Sequence, residues 1–324
     1  MVSALNDAIW EAGPTNRRYC TWLIDSDRWR AYQQRPSDVV VATYPKSGTT
    51  WMQRILSLLI LSTEEPIALD RTFPWWESTR RPIEQVVADF DAQQHRRSVK
   101  THLPFDAIAS DSVIFIHVSR DGRDVCMSYH NHCAAYQPAE LARMDAIGLA
   151  EPALRRPYPR VDPDPAAHFG NWLTVGAVDG QPDGTPYLSY FDYEKSFWDA
   201  RKRSNVLFVH YSDLLVDLIG EVRRVADFVG AEFTESDAER VAGSATFAAM
   251  RRDAATLLPE ASKNFDGGAH RLVNKGESGR WNGVYHADDV NLFDKKLRSA
   301  VPDPYAEWLL AGRIGGPGIA PSEM

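Results

Sequence analysis

Cysteine is scarce in this chain of 324 residues, which contains only Cys20, Cys126 and Cys133. An odd number without repeated spacing is not the pattern of a disulfide framework, and it favours a reducing compartment. The histidines and cysteines also lack the spacing of a metal site, and we find no internal repeat or low-complexity tract. We therefore expect neither a metal nor a disulfide to hold the fold together.

Long apolar segments and excess positive charge are lacking as well. The longest apolar stretch, near residues 55–61, is far too short to cross a bilayer, and the N-terminus does not resemble a secretion signal. The formal net charge is −8, which argues against non-specific nucleic-acid binding but not against a local anion site. The sequence thus predicts a cytoplasmic protein with no nucleic-acid partner and no stable membrane insertion.

Hydrophobic residues, in contrast, make up 44% of the chain, enough for one large α/β domain or two small ones. Short apolar runs bounded by turn residues indicate buried strands, and the nearly continuous run at 112–119 is typical of a central parallel strand. A helical spacing of apolar residues begins at Thr49, and another covers 287–300. The predicted strands are 39–42, 98–103, 112–119 and 205–211.

The first strand leads into a tight loop, punctuated by Pro45 and Gly48, and then into a helix. The beginning of such a helix presents unpaired N–H groups and the positive end of its dipole, which suits a phosphate or sulfate group. Lys46 adds a cation, although an ordinary strand-to-helix turn is an alternative. A nucleoside-triphosphate loop would place its lysine after the last glycine, whereas Lys46 precedes Gly48.

The segment Tyr44-Pro45-Lys46-Ser47-Gly48-Thr49-Thr50-Trp51 resembles the 5′-phosphosulfate loop of the cytosolic sulfotransferase family. Those enzymes use 3′-phosphoadenosine 5′-phosphosulfate (PAPS) as donor and release adenosine 3′,5′-bisphosphate (PAP). The resemblance implies a three-layer, P-loop-like α/β fold with a central parallel β-sheet flanked by helices. It predicts an N-terminal covering segment at 1–36, a sulfotransferase domain at 37–312 and a frayed tail at 313–324. Residues 134–165 and 253–285 are predicted lid or substrate loops.

A second motif, Lys100-Thr101-His102-Leu103-Pro104, matches the family segment that carries the catalytic base. The resemblance implies that His102 takes the acceptor proton and that Lys100 lies near the sulfuryl group. Lys46 would stabilise the charge that grows on the bridging oxygen. An imidazole suits general-base work, although a lone histidine in such a turn is more often structural. No metal is required by this chemistry.

Further motifs resemble the nucleotide site of the family. Arg120 follows the strand 112–119, and Ser128 comes eight positions later, as in the family's 3′-phosphate motif; a surface salt-bridge cluster is the alternative. By the same resemblance Trp51, Tyr211 and Phe247 contact the adenine. The residues assigned to nucleotide binding are Lys46, Ser47, Gly48, Thr49, Thr50, Trp51, Arg120, Ser128, Tyr211, Phe247, Lys275 and Gly276.

The last motif, residues 274–281, departs from the family pattern. Asn274 stands where an arginine is usual, and Arg280 stands where an aspartate is usual. The missing arginine weakens the predicted phosphate clamp. The sequence leaves open whether Arg280, Arg271 or Arg123 replaces it.

The motifs together predict in-line transfer of a sulfuryl group from PAPS to a hydroxyl of a small apolar, phenolic, steroid or glycolipid acceptor. A catalytically silent nucleotide-binding relative is one alternative, and a P-loop kinase, which needs a Gly-Lys-Ser loop, is another. The partner is thus a small molecule, and homodimer formation is left open. The predicted acceptor-pocket residues are Phe73, Trp75, Trp76, Phe105, Tyr129, Tyr136 and Phe169.

Overall fold

A four-stranded parallel sheet lies at the centre of the structure, a computed structural model that describes residues 18–324. In its register, Val41 lies opposite Lys100 on one side and Ile116 on the other. Each strand overlaps a predicted one, so the α/β fold with a central parallel sheet is confirmed. In the order of the sheet, the strands are β2 (Ser98–Thr101), β1 (Val39–Thr43), β3 (Ile114–Ser119) and β4 (Val206–His210).

Strands β1, β3 and β4 are mostly apolar because helices cover both faces of the sheet. Every residue of β1 is buried, and its β-branched valines suit a pleated, packed surface. His117 in β3 is a buried polar exception. Its Nε2 atom lies 2.7 Å from Ser119 Oγ and 3.1 Å from Glu194 Oε2, which satisfies it inside the core.

The helices pack around this sheet, and the predicted helix at 287–300 is present with the expected bounds. Short 3₁₀ helices lie at Ser26–Ala31 and Pro321–Glu323. The α-helices are α1 Thr49–Leu61, α2 Leu69–Thr72, α3 Ile83–Asp91, α4 Phe105–Ile108, α5 Gly122–Cys133, α6 Pro138–Ala150, α7 Pro165–Thr174, α8 Tyr190–Asp199, α9 Tyr211–Val216, α10 Leu218–Val229, α11 Glu235–Ser244, α12 Phe247–Arg252, α13 Ala254–Leu257, α14 Ala261–Asn264, α15 Gly268–Leu272, α16 Ala287–Ala300 and α17 Asp303–Gly315.

Two segments predicted as loops contain helices. Residues 134–165 include α6, which begins at Pro138. Proline is tolerated at the first helical position because the N–H group it lacks would be unpaired there anyway. Residues 253–285 include the short helices α13 to α15. The role of the two segments as lids stays a prediction.

The tail differs from the expectation of fraying. Helix α17 follows α16, and its end is fixed by the carboxylate of Asp213, which accepts hydrogen bonds from the backbone N–H groups of Arg313 (2.9 Å) and Ile314 (2.8 Å). Ala320 is also buried. These contacts with the β4–α9 region come from distant parts of the chain, so local composition could not reveal them. Of the covering segment 1–36, residues 1–17 lie outside the described residues.

Candidate functional site

The carboxyl ends of the four strands meet at one edge of the sheet, and each leads into a predicted site residue. The loop of Lys46 follows β1, His102 follows β2, Arg120 follows β3 and Tyr211 follows β4. Open α/β sheets bind ligands at this edge. A single cleft is lined by all four of these residues and by Lys100. The sequence motifs, though far apart in the chain, are therefore brought together.

The loop after β1 leaves the beginning of α1 open to the cleft. Gly48 has φ of 120°, and among the described residues no side chain caps the helix. Lys46 has φ of 75°, a left-handed conformation that is uncommon for a residue with a side chain. The first N–H groups of α1 are thus available to an anion, with Lys46 beside them.

Of the twelve residues predicted to bind the nucleotide, only Ser47 does not line this cleft. Its hydroxyl is buried and has no hydrogen-bond partner among the described residues. The hydroxyl of Thr49 lines the cleft but also lies 2.6 Å from that of Thr43. The role of Ser47 in nucleotide binding therefore stays a prediction.

Two half-buried lysines give the cleft positive charge. Burial lowers the pKa of Lys46 to about 8, and the nearby cations Arg120 and Lys100 contribute to this shift. Burial also lowers the pKa of Lys100 to about 8, with a further contribution from Arg80. An anionic ligand would favour the charged form of both amines.

The orientation of His102 is fixed by the end of β1. Its Nδ1 atom lies 2.8 Å from the carbonyl oxygen of Thr43, which can only accept, so Nδ1 carries the proton. Burial, with a contribution from Lys100, lowers the pKa of His102 to about 3. The imidazole is thus neutral near pH 7, with the lone pair on Nε2 available as a base.

A buried carboxylate that the motifs did not identify, Glu77, supports this base. Its Oε1 atom accepts hydrogen bonds from the backbone N–H of His102 and from Trp75 Nε1, both at 2.6 Å. Its Oε2 atom accepts one from Trp29 Nε1 at 3.1 Å. Glu77 therefore fixes the base and the adjacent wall of the cleft together. No local sequence pattern indicates this role.

The predicted nucleotide side of the cleft is built around Arg120. Its guanidinium lies 4.1 Å from the ring centre of Tyr211, and its Nη2 donates to the carbonyl of Glu277 at 2.8 Å. Asp124 holds the same segment by accepting from the backbone N–H of Gly279 at 2.9 Å. The Nε of Arg120 is buried without a partner among the described residues. Ser128 lines the cleft nearby, so the geometry suits recognition of a phosphate.

Three aromatic rings, of Trp51, Tyr211 and Phe247, also line this side of the cleft. Trp51 donates from Nε1 to the carbonyl of Ala245 at 2.7 Å, and its ring meets that of Tyr211 edge-on at 5.4 Å. Phe247 lies against the backbone of Gly276, where a β-carbon would come within 2.5 Å of the ring. Only glycine allows this contact, which leaves flat apolar surfaces suited to a purine.

Of the three arginines considered as replacements at Asn274, Arg280 alone lines the cleft. It makes no hydrogen bond or ion pair within the described part of the chain. Arg123 is instead bound to Asp121 at 2.6 Å, and Arg271 donates to the carbonyl of Asn131 at 3.1 Å. Arg280 is therefore the best placed of the three.

Three of the seven predicted acceptor-pocket residues line the cleft: Trp75, Tyr129 and Tyr136. The other four do not, because their side chains are buried in the core, three of them against other aromatic rings. Phe169, for example, stacks on Tyr285 at 3.9 Å. The four residues outside the cleft are Phe73, Trp76, Phe105 and Phe169.

The cleft also contains residues that the sequence analysis missed. Tyr187 donates to the carbonyl of His102 at 3.3 Å. His132 lies one turn after Tyr129 on α5, so helical periodicity could have identified it. Arg80 and Tyr187 lie in irregular segments, where no periodicity exists to reveal them.

Within residues 18–324, no helix is long and apolar enough to cross a membrane. The same residues contain no group of three or more His, Cys, Asp or Glu side chains arranged to hold a metal ion. All three cysteines are free thiols.

Comparisons with known proteins agree with this geometry. Residues 36–309 match the sulfotransferase domain family. A glycolipid sulfotransferase of Mycobacterium tuberculosis is 32% identical over 317 residues, which cover 92% of this chain and 95% of that protein. Human sulfotransferase 1C2 is 24% identical over 284 residues, which cover 84% of this chain and 86% of that protein.

Solved structures share the fold. Retinol dehydratase, in complex with androsterone and inactive cofactor PAP, has a TM-score of 0.64 at 21% identity and covers 86% of this chain and 87% of its own. Mouse sulfotransferase SULT7A1, complexed with PAP, has a TM-score of 0.58 at 20% identity. The match covers 83% of this chain and 86% of the mouse chain. The domain match over most of the length and the 32% identity with the mycobacterial protein show that this chain is an enzyme of the sulfotransferase family, as its motifs predicted.

Proposed function

We propose that this protein transfers the sulfuryl group of PAPS to a hydroxyl of a small acceptor and releases PAP. The observation that supports this most is the meeting of three features in one cleft. These are the open beginning of α1, the cation Lys46 and the neutral imidazole of His102. An anion site beside a base is the arrangement that sulfuryl transfer to an alcohol requires.

The residues of the cleft fit the donor. The N–H groups at the beginning of α1 would hold the 5′-phosphate, together with the hydroxyl of Thr50. The unpartnered Nε of Arg120 offers a donor to the 3′-phosphate, with Ser128, Lys275 and Arg280 beside it. The close contact between Gly276 and Phe247 leaves a flat wall for adenine.

The chain's own residues supply the chemistry by positioning and charge. His102 accepts the proton of the acceptor hydroxyl at Nε2, because Nδ1 is already bonded to Thr43. Lys46 places its ammonium group where negative charge grows on the oxygen that leaves sulfur. Lys100, which lies on β2 two residues before His102, would neutralise the sulfuryl oxygens.

The acceptor is a phenol, a steroid or a glycolipid, since aromatic side chains such as Trp75, Tyr136 and Phe265 line the acceptor side. The mycobacterial relative is named a glycolipid sulfotransferase, which favours the last class. The cytoplasmic location, the homodimer and the lid role of 134–165 and 253–285 stay predictions.

The direct test is an acceptor panel incubated with PAPS and read by mass spectrometry for the mass of an added sulfuryl group. We expect at least one hydroxyl-bearing acceptor to be modified without added metal. Lys46→Ala should abolish the product, whereas Lys202→Ala, at an exposed lysine far from the cleft, should not. Binding of PAP without transfer to any acceptor would instead support a catalytically silent relative.

A further inference from the structure

The segment 274–281 carries residues predicted to bind the 3′-phosphate, but it lies outside the helices and strands, between α15 and α16. Its residues Lys275, Gly276 and Arg280 all line the cleft. A segment without the hydrogen bonds of a helix or strand depends on the rest of the protein for its position. The side chain of Arg280 can meet a phosphate at a defined place only if the backbone on either side of it is held.

Asp124, in the first turn of α5, holds the residue before Arg280. Both of its carboxylate oxygens lie 2.9 Å from the backbone nitrogen of Gly279 and accept its N–H. The carboxylate is almost fully buried, so water competes little for this hydrogen bond. A hydrogen bond to an ionised group is also stronger than one between neutral groups. Asp124 therefore fixes the backbone at position 279.

Arg123, also in the first turn of α5, holds the residue after Arg280. Its guanidinium lies over the ring of Trp281, 4.1 Å from the ring centre, which is within the range of a cation–π contact. Asp121 in turn fixes Arg123 through their ion pair at 2.6 Å. Two neighbouring residues of one helix thus hold positions 279 and 281, on both sides of Arg280.

The first turn of α5 also lies next to Arg120. The Nη2 atom of Arg120 lies 4.0 Å from Asp124 Oδ1 and donates to the carbonyl of Glu277 at 2.8 Å. The segment 274–281 is therefore held against the cation that is predicted to bind the 3′-phosphate. An arginine whose backbone is already fixed loses less conformational freedom when it binds a phosphate. This placement favours Arg280 as a second cation of the 3′-phosphate site.

We infer that Asp124 and Arg123 are positioning residues that act through Arg280. They hold the backbone on either side of it, so that its guanidinium meets the 3′-phosphate where the family arginine is missing. Arg123, one of the three candidate replacements, thus contributes indirectly. The inference rests on the proposed function, to which it adds the residues that decide recognition of a 3′-phosphorylated nucleotide.

Calorimetric affinities for PAP and AMP test the inference, since the two nucleotides differ only in the 3′-phosphate. Asp124→Ala should weaken PAP binding by about tenfold, the loss of about one hydrogen bond to a charged group. AMP binding should change by less than about twofold, because the end of the segment near Gly276 is held separately by Arg251, which donates to the carbonyl of Val273 at 3.0 Å. Asp124→Asn should restore most of the PAP affinity, because an amide oxygen also accepts from the N–H of Gly279.

A double-mutant cycle separates positioning from a general loss of stability. In an Arg280→Met background, Asp124→Ala should cost no further PAP affinity, because the side chain that Asp124 positions is absent. Trp281→Leu removes the ring under Arg123 and keeps an apolar side chain. It should weaken PAP binding in the wild-type background and have no further effect in the Arg280→Met background.

The matched control is Asp217→Ala, which removes an exposed carboxylate that accepts the backbone N–H of Gly220 at 2.9 Å, outside the cleft. It should lower the melting temperature and leave both nucleotide affinities unchanged. Thermal unfolding checks that each variant is folded.

Three results would each overturn the inference. The losses from Asp124→Ala and Arg280→Met could add fully, folded Asp124→Ala could lose PAP and AMP affinity equally, or Asp124→Asn could bind PAP as weakly as Asp124→Ala. The proposed function fails by a different result, the lack of PAPS-dependent transfer to every acceptor in the panel.

Discussion

The Nδ1 atom of His102 lies 2.8 Å from the carbonyl oxygen of Thr43, across two adjacent strand ends. This bond fixes the tautomer of the imidazole, because a carbonyl can only accept. The proton-accepting nitrogen of the site is thus set by the backbone of the strand that also carries the anion-binding loop. The proposed base and the proposed donor site are therefore positioned by the same strand.

Replacement of His102 by alanine should lower kcat by about 10²- to 10⁴-fold, the usual contribution of a general base. PAP affinity should stay close to wild type, because the imidazole lies on the acceptor side. The measurement is steady-state turnover with an accepted alcohol, with calorimetry for PAP. Turnover of the His102→Ala enzyme at the wild-type rate would show that His102 is not the general base.

The pH profile of kcat/KM should lack an acid limb near the ordinary histidine value. The neutral form of His102 is the base, and its pKa is lowered to about 3, so the base stays deprotonated above that pH. Lys46 and Lys100 act as cations and have pKa values lowered to about 8, so the rate should fall as the pH rises through this value. Profiles from about pH 5 to about pH 9.5 test both limbs. A rise in rate centred near pH 6.5 would contradict the assignment.

We expect Arg280 to contact the 3′-phosphate in place of the family arginine, because this chain has Asn274 at the position of that arginine. We expect PAP to raise the melting temperature more than AMP does, since its additional phosphate meets Arg120 and Arg280. Arg280→Met should reduce that difference, and Arg271→Met should not, because Arg271 is bound to a backbone carbonyl outside the cleft. Equal shifts with PAP and AMP in the wild type would argue against the 3′-phosphate site.

Gly276 and Gly283 form a matched pair for testing the adenine wall. Both have positive φ, at 68° and 73°, so alanine at either position should cost about 1 kcal/mol of folding free energy. Only at Gly276 would the new methyl meet the ring of Phe247; at Gly283 no described residue lies within 4 Å of it. Gly276→Ala should therefore weaken PAP binding by about tenfold or more, while Gly283→Ala leaves it unchanged. Calorimetric affinities that fall equally in both variants would contradict this role for Gly276.

Much of the fold could be predicted from the sequence because most of its strands are short apolar runs bounded by turn residues. The segment of β3 illustrates this, since four of its six residues are apolar, five of the six are buried, and Arg120 follows at once. The packing of the tail could not be predicted, because it is fixed by Asp213, which lies a hundred residues earlier in the chain. Local composition carries no information about such a partner.

The acceptor side was only partly predictable for a similar reason. In the segment 73–76, Trp75 turns into the cleft, whereas Phe73 and Trp76 turn into the core. All three are large and apolar, so residue type does not distinguish them. What distinguishes Trp75 from the other two is the hydrogen bond that it donates to the buried Glu77. That bond depends on tertiary packing.

The most direct test of the central claim is a crystal structure of the full chain with PAP. The account predicts the 5′-phosphate at the N–H groups that begin α1, within hydrogen-bond distance of Lys46, and the 3′-phosphate at Arg120. It also predicts that the Nε2 atom of His102 faces the same end of the nucleotide. A nucleotide bound elsewhere, or an imidazole turned away from the 5′-phosphate, would contradict the account.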